Sequence, residues 1–262
     1  MDKVIAVVCQ KGGVGKTTTA VHLGVGLARL GKKVLLVDED SQASLTTSLG
    51  FTDPRQFTET SASIMSKIIS ETPIDTSIGV LAHKESVNLL PANNGLAAVE
   101  ISLANADTLS REFVLQEYIN QVSPKYDHIV IDTQPSLGML TINALAAADS
   151  VIIPVQAEYL AAKGLEQLLF TVSRVQRRIN TALKIGGILL TMVNERTNET
   201  KEIISLIKDA YGGRVRIYGS IPRSVKVPEA SKLGVSLFLS APNCKAALAY
   251  EAFTKGVLQS EE

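Results

Sequence analysis

A glycine-rich segment near the N-terminus constrains the fold more than any other feature of this sequence. Residues 11–19 read KGGVGKTTT, between an apolar run at 4–9 and a helix-like stretch at 17–30. A strand, a glycine turn and a helix allow backbone amides to converge on phosphate oxygens. Lys16 adds a positive charge, and the Thr17 hydroxyl is suited to ligate magnesium. The sequence therefore predicts a polyphosphate-binding loop.

The loop departs from the strict pattern at its first position, where Gln10 replaces glycine. A second lysine, Lys11, stands directly before the glycine pair. Because Lys16 already fills the phosphate site, we expect the Lys11 side chain to serve another purpose.

Apolar β-branched runs alternate with helical patterns along the chain, which indicates a parallel sheet covered on both faces. We predict strands at 4–8, 34–37, 87–90, 129–131, 151–155, 185–193 and about 217–221. We predict helices at 17–30, 62–69, 112–121, 140–147, 163–179, 200–210 and 244–258. The fold class is α/β, with one doubly wound, mostly parallel sheet and helices on both faces. We expect a single domain over 1–262, with a variable excursion at about 51–85.

The charge of the chain is balanced overall but is unevenly distributed along the sequence. The formal net charge is zero, so no global field attracts nucleic acid or membrane. Residues 151–262 nevertheless carry 15 Lys and Arg against 10 Asp and Glu, and the first 150 carry 11 against 16. An anionic polymer would therefore meet the C-terminal half, although random scatter explains the imbalance equally well.

Cysteine and histidine give little support for a metal centre or a disulfide framework. Cys9 and Cys244 lie far apart, and the three histidines are isolated in the sequence. We find no signal-peptide pattern and no apolar run of membrane-spanning length. These features favour a cytoplasmic protein without a membrane partner.

Two apolar runs end in acidic residues, at Asp38 and Asp40 and at Asp132. Because the carboxyl ends of parallel strands share one edge of a sheet, we expect these side chains to lie beside the phosphate loop. Asp132 suits magnesium, directly or through water. Asp38 and Asp40 have alternating directions, so one is expected to support the metal and the other to orient the attacking water. A role for Asp40 as a cap of the loop remains an alternative.

Longer segments carry a resemblance that spans almost the whole chain. They are QKGGVGKTTTAVHLGVGLA at 10–28, VLLVDEDSQAS at 34–44, LLPAN at 89–93, YDHIVIDTQPSLGMLTINAL at 126–145, VIIPVQAEYLAAKGL at 151–165, ILLTMVNERTN at 188–198 and IPRSVKVPEAS at 221–231. In these segments the chain resembles the ParA/Soj family of partitioning ATPases, within the MinD/ParA group of deviant Walker ATPases.

The resemblance implies roles for individual residues. Lys16 would grip the β- and γ-phosphates, and Lys11 would reach across a two-ATP dimer to the partner's nucleotide. Asp40 would position the hydrolytic water. Magnesium would be held by Thr17, Asp38 and Asp132. Nucleotide contacts would come from Lys11, Gly12, Gly13, Val14, Gly15, Lys16, Thr17 and Thr18, and the backbone near Ile221 and Pro222 would contact adenine. DNA contacts would come from Arg196 and Lys226.

The resemblance also implies a function. We expect a weak ATP hydrolase that uses Mg²⁺, dimerises with ATP, binds DNA nonspecifically and responds to a ParB-like centromere-binding partner. Such a protein would be cytoplasmic and associated with the nucleoid. An ATPase that positions a non-DNA cargo is the main alternative, and a MinD-like membrane switch is a weaker one. Ser41, Ala43 and Gln134 depart from the family pattern in loops beside the γ-phosphate, where they bear on the hydrolysis rate.

Overall fold

The computed structural model describes residues 3–105, 111–158, 161–194 and 197–259. The strands in these ranges are β1 (Val4–Val7), β2 (Val34–Glu39), β3 (Leu81–Ala82), β4 (Val87–Leu90), β5 (His128–Thr133), β6 (Ser150–Gln156), β7 (Lys184–Val193) and β8 (Ile217–Pro222). The helices are α1 (Lys16–Arg29), α2 (Ser44–Ser48), α3 (Ser61–Ile69), α4 (Gly95–Asn105), α5 (Val114–Val122), α6 (Met139–Ala147), α7 (Ala161–Arg178), α8 (Asn198–Tyr211), α9 (Lys226–Lys232), α10 (Leu237–Ser240) and α11 (Lys245–Gln259). Short 3₁₀ turns cover Pro54–Gln56 and Ser123–Lys125.

The strands form one eight-stranded sheet in the order β3-β4-β2-β5-β1-β6-β7-β8. Every neighbouring pair is parallel except β3 and β4. Two apolar clusters pack on its two faces, one under α3 to α8 and the other under α1, α2 and α9 to α11. The predicted α/β fold with a doubly wound, mostly parallel sheet is confirmed.

Alternation along β2 shows why the central strands read as continuous apolar runs. Leu35 and Val37 belong to the cluster under α3 to α8, and Val34 and Leu36 belong to the opposite cluster. Successive side chains point to opposite faces of a sheet, so a sheet covered on both faces buries every position. The strand therefore continues, fully buried, to Glu39.

Register brings the acidic strand ends together. In the pairing of β2 with β5, Asp38 lies beside Asp132, and in the pairing of β1 with β5, Val7 lies beside Asp132. The phosphate loop follows β1 directly. The edge at which these strands end therefore carries the loop and both aspartates, as the sequence predicts.

Several elements differ from the sequence prediction. Helix α4 (Gly95–Asn105) was not predicted, because its apolar residues are not confined to one helical face and Ile101 is exposed. The excursion at 51–85 does not lie wholly off the sheet, because Leu81–Ala82 returns as the antiparallel edge strand β3. The short helices α2, α9 and α10 are also additions to the prediction.

Within the ranges that the structure describes, no helix combines the length and the apolar character needed to cross a bilayer.

Candidate nucleotide site

The phosphate loop depends on glycine at two positions with left-handed backbone. Gly13 has a φ of 74° and Gly15 a φ of 85°, a region that favours glycine because other residues place Cβ near a carbonyl oxygen. Gly15 is the N-cap of α1 and has no side chain with which to bond the free amides of the first turn. Thr191 Oγ1 on β7 donates a hydrogen bond to the Val14 carbonyl at 2.8 Å and so ties the loop to the sheet. The free amides at the start of α1 suit an anion.

Lys16 crosses this loop and is buried. Its Nζ donates to the Lys11 carbonyl at 3.2 Å. Burial lowers the pKa of Lys16, while electrostatic interactions with Asp132, Cys9 and Asp40 oppose the shift. A desolvated ammonium held at a helix N-terminus gives phosphate a strong electrostatic partner.

Asp132 is fully buried, and neither carboxylate oxygen makes a hydrogen bond of ordinary geometry within the described part of the chain. Burial and then the Asp38 carboxylate raise the pKa of Asp132 well above its usual value, while the nearby Thr17 hydroxyl and Lys16 oppose the rise. Such an unsatisfied carboxylate beside a hydroxyl fits Mg²⁺, which takes a few protein oxygens and keeps several waters. The donor set of Thr17 and Asp132 therefore fits the predicted metal.

Asp38 has a different environment although it is also buried. Its Oδ2 accepts hydrogen bonds from Thr46 N at 2.8 Å and from Thr46 Oγ1 at 2.7 Å, and its Oδ1 accepts one from Asp40 N at 3.2 Å. Burial raises the pKa of Asp38 to about 6 against these hydrogen bonds. The hydrogen bonds to Asp38 thus fix the loop after β2. A contact between Asp38 and a metal stays a prediction.

Asp40 closes the turn that follows β2. Its Oδ1 accepts a hydrogen bond from Gln42 N at 2.9 Å, and its carbonyl accepts one from Ala43 N at 2.8 Å. Ala43 has a φ of 50°, in the left-handed region. The hydrogen bond from Gln42 N therefore supports the alternative that Asp40 caps the loop. The role of Asp40 in orienting the attacking water stays a prediction.

Lys11 lies outside the phosphate site. Its side chain is about half exposed, at 51%, and forms an ion pair with Glu158 in the loop after β6. The separate position of the two lysines agrees with the expectation that Lys11 does not duplicate Lys16.

A cavity of about 780 Å³ adjoins the phosphate loop. Gly15 and Thr18 form one wall, and Ile221 and Pro222 at the end of β8 form another. The structure therefore brings the predicted adenine-contacting segment next to the phosphate loop. Sequence reasoning did not identify the other lining residues, among them Met192, Asn194, Arg223, Lys245 and Tyr250.

The two predicted DNA-binding residues differ in what the structure shows of them. Lys226 begins α9, is exposed, and pairs with Glu229 at 2.7 Å, which raises the pKa of Lys226. Arg196 lies outside the described residues.

One buried acid was not predicted to have any role. Glu39 is fully buried, and neither of its carboxylate oxygens has a hydrogen-bond partner among the residues described. Burial and the neighbouring Asp38 raise the pKa of Glu39 well above its usual value. Because Glu39 stands between two aspartates, the sequence does not indicate that β2 extends to this residue.

Comparison with known proteins identifies the family. The model of an AAA domain family matches residues 2–185. The sporulation initiation inhibitor protein Soj of Bacillus subtilis is 43% identical over 258 residues, which cover 98% of each chain. The chain belongs to the ParA/Soj family of partitioning ATPases. The chromosome-partitioning ATPase Soj of Treponema pallidum is 38% identical over 98% of each chain.

A solved structure shares the ParA/Soj fold over the whole chain. The cobyrinic acid a,c-diamide synthase of Mycobacterium smegmatis, determined with an ATP analogue and magnesium, superposes with a TM-score of 0.84 at 34% identity. The match covers 100% of this chain and 96% of that protein. The Soj relatives and this synthase are named for different functions, so similarity of fold does not by itself determine the biological role.

Proposed function

We propose that this protein is a DNA-partitioning ATPase in which ATP and Mg²⁺ join two copies into a dimer. The dimer binds DNA nonspecifically, and a ParB-like centromere-binding partner stimulates hydrolysis and release. The observation that carries this proposal is the division between two lysines. Lys16 is buried in the phosphate loop, while Lys11 is exposed beside it and available to a neighbouring molecule. The family relatives named for chromosome partitioning support the same function.

Each residue of the site has a distinct chemical task. The loop amides and Lys16 would hold the phosphates. Asp132 and Thr17 would hold Mg²⁺, which would supply positive charge to the transferring phosphoryl group. Asp40 orients the attacking water. Ile221 and Pro222 supply the wall for adenine. A slow intrinsic rate follows if the site is completed only when the partner copy and the centromere-binding protein are present.

Lys11 must leave Glu158 to reach the nucleotide of a partner copy. Both side chains are close to half exposed, at 51% and 46%. An exposed ion pair contributes only about 0–1 kcal/mol, so its loss is a small obstacle to dimerisation. A lysine supplied by the partner would then stabilise the transferring phosphoryl group as an arginine finger does.

DNA binding would use the positive balance of the C-terminal half, with Arg196 and Lys226 as contacts. Log affinity falls linearly with log salt, and each phosphate contact makes this slope more negative by about 0.9. A dimer on DNA would associate with the nucleoid in the cytoplasm. Two exposed lysines allow a matched test, because Lys226 pairs with Glu229 and Lys255 pairs with Glu251, both at 2.7 Å.

The test is a DNA-binding titration of the Asp40→Ala protein with ATP or ADP at several salt concentrations. We expect binding with ATP and much weaker binding with ADP. Lys226→Gln should weaken binding to all sequences and lower the salt slope by about one for each DNA phosphate that it no longer neutralises. Lys255→Gln should leave both unchanged. Equal affinity with ATP and ADP would contradict a DNA-partitioning role and would favour the non-DNA cargo alternative.

A further inference from the structure

Gln134 makes a specific contact with a helix that is distant in the sequence. It follows Asp132 and Thr133 and is buried at the end of β5. Its Nε2 donates to Glu100 Oε1 at 2.8 Å and to Glu100 Oε2 at 2.9 Å, and it lies 2.9 Å from Ser136 Oγ. The contact depends on the side-chain amide, because a residue without a side-chain N–H could not donate these hydrogen bonds.

Glu100, on α4, also lies against the start of α6. A Cβ placed on Gly138 would be 2.0 Å from Glu100 Oε1, so the carboxylate occupies the space directly over this residue. Gly138 is the N-cap of α6, and its N donates to Ser136 Oγ at 3.2 Å. A negative charge is favourable at a helix N-terminus. One carboxylate therefore lies at both ends of the loop at 134–138, hydrogen-bonded to Gln134 and packed over Gly138.

The same loop lies beside the phosphate loop. A Cβ built on Gly12 would lie 3.9 Å from Pro135 Cβ, so Pro135 stands about one methyl group away from the Gly12 backbone. Gly12 adjoins Lys11, whose carbonyl oxygen accepts a hydrogen bond from Lys16 Nζ. A shift of the loop at 134–138 would therefore be transmitted to the lysines at the phosphate site.

We propose that Glu100 and Gln134 are positioning residues for ATP hydrolysis, and that they form a clamp that keeps Pro135 beside Gly12. The clamp is defined as the hydrogen bonds between the Gln134 amide and the Glu100 carboxylate. This inference rests on the proposed ATPase function. Both residues act through the placement of the two loops, where small displacements have large effects on rate.

An exchange of the two side chains tests the clamp directly. Gln134→Glu alone sets two carboxylates against each other, and Glu100→Gln in the same protein restores an amide facing a carboxylate. We expect kcat of Gln134→Glu to fall about tenfold or more, with the KM for ATP changed less than about threefold. The double variant should recover most of the lost kcat. Gln121→Glu, an exposed change on α5, is the matched control and should behave as the parent.

Hydrogen exchange of the nucleotide-free protein gives a second readout that does not depend on ATPase activity. Gln134→Ala, which removes the donor without adding charge, should speed amide exchange at 134–138 and at 11–15, while Gln121→Glu should not. Parent-like kcat in Gln134→Glu, or no recovery in the double variant, would overturn the positioning role. If the parent protein does not hydrolyse ATP, the proposed function fails, and unchanged exchange in Gln134→Ala would then reject the clamp independently.

Discussion

Ala43 occupies a left-handed backbone position in the loop that carries Asp40, and its replacement by glycine measures the strain. Ala43 has φ 50° and ψ 40°, caps α2, and has a half-buried side chain. A left-handed conformation costs a residue with a Cβ about 1–2 kcal/mol. Glycine avoids that cost but loses about 0.5–1 kcal/mol through the greater freedom of its unfolded chain. The lost methyl, which is only partly buried, contributes less than the ~0.8 kcal/mol of a fully buried group.

A second substitution removes the unfolded-state contribution from the comparison. Ala252 is exposed in the interior of α11, so Ala252→Gly should destabilise the protein by about 0.5–1 kcal/mol. Ala43→Gly should instead be close to neutral or stabilising. The two variants should differ in the free energy of unfolding by the backbone strain at position 43, less the small contribution of the lost Ala43 methyl group. We expect this difference to be about 1 kcal/mol.

Urea denaturation of the nucleotide-free proteins measures this difference. Ala43→Gly should keep or raise the midpoint, Ala252→Gly should lower it, and both should keep the slope of the parent. Equal destabilisation by the two variants would refute the strained geometry assigned to the loop.

Three further predictions concern charged groups of the site. Lys16→Ala should abolish nucleotide binding in calorimetry, and retained affinity would contradict its place in the phosphate loop. Because burial raises the pKa of Glu39 above its unfolded value, the folded state holds a proton that the unfolded state releases, and the free energy of unfolding should fall as pH rises above about 5. Glu39→Met should reduce this fall in urea denaturation at pH 5 and pH 8, and an identical fall in both proteins would contradict the assignment. Glu158→Gln should release Lys11 and strengthen ATP-dependent dimerisation up to about fivefold, whereas weaker dimerisation would show that Glu158 supports the interface.

Sequence periodicity and one glycine motif are sufficient to predict the fold and the phosphate loop. The apolar strands and the left-handed glycines are local properties, so the pattern of neighbouring residues reveals them. Parallel pairing then follows from chain order, and it places Asp38 and Asp132 on one edge of the sheet.

The contacts around the site could not be predicted because they join distant segments. Glu100 lies 34 residues from Gln134, and its helix has no clear amphipathic pattern to mark it. Thr46 holds Asp38 from a five-residue helix that periodicity cannot detect. Glu39 reads as one more surface acid, since only the full length of β2 reveals that it is buried.

The central claim is that ATP joins two copies through Lys11, and sedimentation equilibrium tests it most directly. The Asp40→Ala protein, which should bind ATP without hydrolysing it, is measured with saturating Mg²⁺ and either ATP or ADP. We predict a dimer with ATP and a monomer with ADP, and a monomer with both nucleotides when Lys11→Ala is added. A monomer with ATP and intact Lys11, or a dimer that Lys11→Ala leaves unchanged, would contradict the account.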